Sequence, residues 1–441
     1  MHKTLEPINN RIAPQGLHHF RSRDGSHRFH LRVEEDGSGI ITVDASGIMH
    51  LNRVACDSAW MILSEIPTKK IIEKIRSRYR IGRKQATRDL DDFSTVFSRI
   101  LESGAGEPIV YNNLEVMDPF ERSVSAPYRI DLALTYRCNL ACTHCYNVTR
   151  DKSELTTEQW KSVIRKAWDI GIPHIIFTGG EATLRNDLVE LTGFAESLGL
   201  VTGLLTNGVK LADAGYVNEL KNAGIDHVQI TLESSVPEIH NSMTGMESFS
   251  DTVAGISNCL KAGIHTITNT TLTKANADSI TETVSFLKEL GLSTIAANAV
   301  IHSGRALERD FSLPLPKLER VLLDISRITS NLDMRLIWYS PTKYCSLNPL
   351  EFDLGPKRCT AGEYNLCIEP DGEVLPCQSW YESAGNILTR DWDDIWNGEL
   401  LKSIRSREWA QAECGGCVHF SICGGGCPLE RNSGAACRDS M

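Results

Sequence analysis

The sequence predicts an α/β protein: a parallel sheet with helices outside it, preceded by a small α+β domain and followed by a cysteine-rich, metal-dependent one. Three observations predict this. Between residues 127 and 335, six apolar runs alternate with amphipathic stretches, the pattern of strand–helix repeats in an open or partial (β/α)6 barrel. Before it, residues 29–52 alternate with a period of two, and three helical periodicities follow. After it, residues 336–441 carry short elements, abundant glycine and nine of the fourteen cysteines.

A chain of 441 residues exceeds what one core supports. The expected division is a first domain over 1–104, a linker over 105–126, the repeat region over 127–335 and the cysteine-rich region over 336–441. The composition, 41% hydrophobic and 23% charged, is that of a soluble globular protein. A formal net charge of -10 argues against nucleic acid and anionic membrane as partners, since both repel an acidic surface. Neither a signal peptide nor a membrane-length apolar run is present, so a cytoplasmic protein is expected. In that compartment clustered cysteines point to metal or redox chemistry rather than disulfides.

In the first domain, turns at 35–39 and 44–47 separate short strands, and helices are expected over 55–64, 68–80 (opening on a Thr68 cap) and 84–102. The histidines at 18, 19, 27 and 30 read as solvated. The Gly-, Pro- and Ser-containing stretch from 104 to 127 lacks periodicity and serves as the connection. The expected barrel strands are 130–134, 175–178, 203–206, 227–232, 266–272 and 293–300, with helices such as 157–170 and 279–290 between them.

Cys138, Cys142 and Cys145 follow the first of these strands directly. Parallel barrels place their chemistry at such strand ends. Three thiolates can hold three irons of a four-iron cluster and leave the fourth open; a zinc site completed by His144 is the alternative. The C-x3-C-x2-C spacing, with an aromatic at Tyr146, resembles the radical S-adenosylmethionine (radical SAM) superfamily over about residues 127–335. That resemblance implies a radical SAM barrel, a [4Fe-4S] cluster on Cys138, Cys142 and Cys145 that binds S-adenosylmethionine, and Tyr146 beside the cofactor. It also assigns Gly179, Gly180 and Glu181, at the end of the second strand, to the methionine amino group. Glycine permits close backbone approach and Glu supplies acceptors for an ammonium. Thr231 and Glu233, ending the fourth strand, become neighbours of the ribose or sulfonium. Two departures stand out: Ala182 replaces the family's frequent proline, and residues 240–245 lack an arginine often found there.

Cys359, Cys377, Cys414, Cys417, Cys423, Cys427 and Cys437 have spacings that resemble the SPASM extension of radical enzymes that modify peptides and proteins. The resemblance implies two auxiliary [4Fe-4S] clusters. Cys359, Cys377 and Cys427 would hold the first, with Cys345 as candidate fourth ligand; Cys414, Cys417, Cys423 and Cys437 would hold the second. A zinc knuckle on Cys414, Cys417, Cys423 and Cys427 is the competing reading. Cys56, Cys259 and Cys367 fall on apolar faces and read as core thiols.

Residues 30–101 resemble the small PqqD-like peptide-recognition domain, winged-helix-like in build, which captures a leader peptide by adding it as a strand. A winged-helix-like fold without a peptide, or a dimerisation module, is the other reading. Together the resemblances imply an oxidoreductase-type maturase of ribosomally made peptides. It would generate a 5'-deoxyadenosyl radical, abstract hydrogen from a precursor peptide and install an oxidative modification or crosslink, with flavodoxin or ferredoxin as electron donor. A tetrapyrrole oxidative decarboxylase, a sulfatase formylglycine maturase and a non-catalytic scaffold for peptide maturation remain as alternatives.

Overall fold

The structure, a computed structural model, describes residues 11–25, 27–44, 47–103, 124–147 and 152–430. Cys437 lies outside the described residues. The described residues form two compact units: 11–103 with 166–173 and 199–201, and the remainder.

The first unit opens with an antiparallel meander of β1 (Gly16–Arg21), β2 (Arg28–Val33), β3 (Gly39–Val43) and β4 (Gly47–Leu51). The β2–β3 turn falls where Asp, Gly and Ser predict it. Asp36 accepts from the Ser38 N–H at 2.9 Å, and Gly37 adopts φ +85, a conformation that suits glycine. Three helices follow: α1 (Arg53–Leu63), capped by the Asn52 side chain on the Ala55 N–H, α2 (Thr68–Tyr79) and α3 (Arg83–Ser103). Thr68 is not a cap. It is the first helical residue, and Pro67, with φ -58 and no side-chain cap hydrogen bond, precedes it. Phe29, Leu31, Ile41 and Leu51 of the sheet bury against Ala55, Ala59 and Phe93 of the helices.

Two further expectations for this unit need correction. Residues 16–21 form a fourth strand, β1, in register from Gly16 opposite Val33 to Arg21 opposite Arg28; the pairing is invisible in a His-rich segment without alternation. His30 is buried rather than solvated. It is 1% exposed, its Nε2 lies 2.6 Å from the Gly199 carbonyl, and burial lowers its pKa to about 4.

The second unit holds a nine-stranded sheet. Its parallel strands are β5 (Arg129–Ala133), β6 (His174–Thr178), β7 (Val201–Thr206), β8 (His227–Thr231), β9 (His265–Leu272), β10 (Thr294–Ala299) and β11 (Arg335–Trp338). Helices α4 (Thr157–Ile170), α5 (Leu188–Leu198), α6 (Ala214–Ala223), α7 (Pro237–Thr244), α8 (Phe249–Lys261), α9 (Ile280–Glu289) and α10 (Leu315–Asn331) connect them. Strand order follows chain order from β5 to β11, so right-handed crossovers put every helix on one side. Beyond β5 the sheet continues with β12 (Asn365–Ile368), parallel to β5, and β13 (Val374–Leu375), antiparallel to β12. The cysteine-rich segment thus adds strands to the barrel sheet. It ends in α11 (Trp392–Trp396), α12 (Glu399–Arg405) and α13 (Phe420–Cys423).

The register sorts the two faces. Ile130, Leu132, Ile175, Phe177, Leu204, Val228 and Ile230 alternate onto one face and are at most 1% exposed, as helix-covered strands require. Arg129 and Asp131 pair with His174 and Ile176, Gln229 and Thr231 with Ile267 and Asn269, and Thr271 with Asn298. The helix-free face therefore carries the sheet's polar and charged side chains among a few apolar ones, a surface suited to binding.

Candidate active site

The loop carrying Cys138, Cys142 and Cys145 begins where β5 ends, and backbone groups from several strand ends hold it. Gly180 donates its N–H to the Thr135 carbonyl at 2.7 Å and Glu181 to that of Arg137 at 2.8 Å. The Ala141 and Thr143 N–H groups donate to the Thr244 and Met243 carbonyls at 3.0 and 2.8 Å. Asn207 Nδ2 donates to Asn139 Oδ1 at 2.7 Å, and Asn147 Nδ2 to the Gly179 carbonyl at 2.8 Å. Residues 240–245, which lack the expected arginine, thus brace the cysteine loop with backbone carbonyls.

The glycines of the second strand end are fixed by packing. A Cβ on Gly179, at φ +140, would stand 2.2 Å from the Thr135 carbonyl oxygen, and one on Gly180 would stand 2.4 Å from that of Arg137. The backbone that approaches these glycines is that of the loop leading to Cys138. Glu181 is 1% exposed. Its Oε1 accepts from the Thr183 N–H, the Thr183 hydroxyl and the Thr206 hydroxyl at 3.0, 2.7 and 2.8 Å, and its Oε2 from the Asn207 N–H at 2.8 Å. The carboxylate ties the β6 and β7 ends together.

Burial pushes the Cys138 and Cys142 thiols up, and the neighbouring thiols of the loop add to the rise. Leu140 donates its N–H to Cys138 Sγ at 3.4 Å. His144 Nε2 lies 2.9 Å from Oε1 of Glu233, which is fully buried and also accepts from the Thr271 N–H at 2.9 Å. Burial alone would lower the His144 pKa, but the Glu233 charge and hydrogen bond carry it upward. Thr231 sits half-buried at the end of β8, directly opposite Asn269.

Arg305, missed by the sequence reading, faces Cys138, Cys142 and His144 from the loop after β10. Its side chain makes no hydrogen bond or ion pair among the described residues. The signal was a Gly–Arg pair at the same strand end as the other motifs. Gly304 holds that loop against the cysteine loop, since a Cβ there would lie 2.5 Å from the Tyr146 and Asn147 carbonyls. Tyr146 donates its hydroxyl to Gln378 Oε1, and Gln378 Nε2 donates to Asp131 Oδ2 at 2.6 Å. The residue after Cys145 is thereby hydrogen-bonded to the residue after Cys377.

The C-terminal cysteines fall into two sets. Cys359, Cys377 and Cys427 face one another; burial drives all three up, Cys377 to about 12. Cys414, Cys417 and Cys423 form the other set, with Cys417 exposed. Cys345 is exposed and is not a free thiol. Its neighbour Tyr344 donates its N–H to Cys423 Sγ at 3.4 Å, which puts Cys345 beside the Cys414 set. Cys56, Cys259 and Cys367 are buried, as core thiols should be.

The sequence model of the Radical SAM superfamily matches residues 132–287, and that of the SPASM iron-sulfur cluster-binding domain matches 359–418. The PqqA peptide cyclase of Rhizobium meliloti is 31% identical over 299 residues, 64% of this chain and 77% of that protein. The AdoMet-dependent heme synthase of Methanosarcina barkeri is 29% identical over 301 residues, 64% of this chain and 86% of that one. Streptococcus suis SuiB bound to its precursor peptide SuiA shares the fold at TM-score 0.69 and 17% identity, covering 93% of this chain and 96% of that one. The structure of anSMEcpe with AdoMet and a peptide does so at 0.56 and 18%, covering 68% and 89%.

The first family brings a [4Fe-4S] cluster and S-adenosylmethionine, and the second brings auxiliary iron-sulfur clusters. The residues present fit these groups: three thiols on one eight-residue loop, the Arg305 guanidinium near them, and buried His144 Nδ1 and Asn269 Oδ1 atoms that no protein group satisfies. The chain belongs to the radical SAM superfamily, with a SPASM iron-sulfur domain following the barrel.

Proposed function

We propose that the chain is a peptide-modifying radical SAM enzyme that acts on a ribosomally made precursor. The observation that carries this is the fold shared with SuiB over 93% of the chain, which reaches beyond the barrel into the first unit. The peptide cyclase relative supports it. In this reading residues 1–104 bind the leader, adding it as a strand at an open edge of the meander, and 105–126 connect. Residues 127–335 form the catalytic barrel and 336–441 the auxiliary-cluster domain.

Cys138, Cys142 and Cys145 would hold the catalytic cluster, and Arg305 would meet the cofactor carboxylate. Gly179 and Gly180 would offer backbone to the cofactor, while Glu181 fixes the strand ends around it. Tyr146 and Glu233 act through their partners Gln378 and His144, and Thr231 and Asn269 line the polar face. When bound, the cluster and S-adenosylmethionine supply one-electron cleavage of a sulfur–carbon bond and a carbon radical that removes a hydrogen atom. The protein's part is to hold the loops in register and keep the polar face aimed at the substrate.

Cys359, Cys377 and Cys427 would bind an inner auxiliary cluster. Cys414, Cys417, Cys423 and Cys437 would bind an outer one. Exposed Cys417 suits the outer set to exchange electrons with a flavodoxin or ferredoxin.

The test is iron content and 5'-deoxyadenosine formation on anaerobically reconstituted protein, with and without a candidate precursor peptide. About twelve irons per chain, falling by about four in a Cys138/Cys142/Cys145 triple Ala variant that forms no 5'-deoxyadenosine, supports the reading. Cleavage surviving in the variant refutes the catalytic assignment. A wild type that modifies no leader-bearing peptide refutes the peptide assignment.

A further inference from the structure

A buried cationic group stands beside Cys359. Arg407, 6% exposed, donates Nη2 to Glu363 Oε2 at 2.6 Å. Arg358, the residue before Cys359, donates Nη2 to both Glu363 oxygens at 2.6 and 2.5 Å. One carboxylate therefore serves two guanidinium groups, and the trio keeps one surplus positive charge. Both arginine side chains are no more than 10% exposed, so solvent screens that charge weakly.

Arg407 Nε and Nη1 have no hydrogen-bond partner among the described residues, although leaving buried donors unmet costs about 1–3 kcal/mol each. The guanidinium reaches the Cys359 side chain, and through Glu363 it is tied to Arg358, the residue directly before Cys359. A surplus buried cation with unmet N–H groups, beside one cysteine of this set, is arranged to serve a sulfur-rich anion.

We propose that Arg407 tunes the reduction potential of the inner auxiliary cluster; this rests on the assignment of Cys359, Cys377 and Cys427 to that cluster. Reduction adds one electron, and the cluster with its thiolates becomes more negative by one charge. Surplus positive charge and N–H bonds to sulfur favour that reduced form and raise the potential. Arg407 is a positioning residue: it acts on the electron acceptor through charge and hydrogen bonds.

The experiment uses the Cys138/Cys142/Cys145 triple Ala background, in which only auxiliary clusters titrate. Dithionite is the reductant, and the reduced clusters are followed by electron paramagnetic resonance. R407M should lower the equilibrium constant for reducing one of the two clusters about tenfold, a fall of about 59 mV for one electron. R407K should fall by less. E363Q removes the trio's negative charge and should shift the same cluster upward.

Opposite signs for R407M and E363Q cannot come from mere structural damage. Shifts of the same sign, or none at full iron content, overturn the proposal. Should R407M lose iron, the signs of R407K and E363Q decide. In the same background Cys359→Ala should lose the signal or change its spectrum; if it keeps both unaltered, the cluster assignment fails instead.

Discussion

Glu181→Gln separates two roles for one carboxylate. In the structure Oε1 accepts three hydrogen bonds and Oε2 accepts one, from the Asn207 N–H. The least costly amide rotamer keeps its oxygen on the three-donor side and points NH2 at Asn207. That leaves a donor facing a donor, at a cost of about 1–3 kcal/mol, or a roughly five- to 150-fold easier local opening. Hydrogen exchange of the Asn207 amide, measured without cofactor, should speed up by that factor, with a matching loss in resistance to urea. Affinity for S-adenosylmethionine should fall only as the strand ends loosen. Unchanged Asn207 protection and urea resistance, with a large loss of cofactor affinity, would refute the reasoning and show the carboxylate to be an acceptor for the ammonium.

Two further predictions follow from buried or unpartnered charge. His30 has a folded pKa of about 4, below the unfolded value of about 6.5, so the unfolded chain takes the proton first. Its contribution is intact above pH 6.5 and lost as pH falls toward 4. At pH 5 the loss is about 2 kcal/mol, which exchange of the β2 amides should register and His30→Gln should flatten; an equal slope in the variant would exclude His30. Arg305→Met should weaken S-adenosylmethionine binding to the reconstituted protein about tenfold or more, the loss of one charge-assisted pair, with iron content retained. Unchanged affinity by equilibrium dialysis would remove Arg305 from the cofactor site.

Much of the site was legible because it is local. Cys138, Cys142 and Cys145 fall within eight consecutive residues after a strand, and Gly179, Gly180 and Glu181 end the next one. The six barrel strands were legible for the same reason: 175–178 is a short apolar run and 227–232 alternates with a period of two, both strand patterns. Arg305 was harder to see, since a Gly–Arg pair after a strand is a weak signal by itself; only the fold brings its charge to Cys138.

The sequence by itself determined the strand–helix alternation, the cysteine sets and hence the class of chemistry, because periodicity and ligand spacing are properties of neighbouring residues. Only the tertiary structure decided where partners from distant segments meet. It paired β1 with β2, laid β12 beside β5 across more than 200 residues of chain, turned Glu181 onto Thr206 and Asn207, and placed Arg407 against Cys359. Each contact exists because buried strands and polar atoms must find hydrogen-bond partners wherever the fold brings them, and no local pattern records which distant residue will supply them.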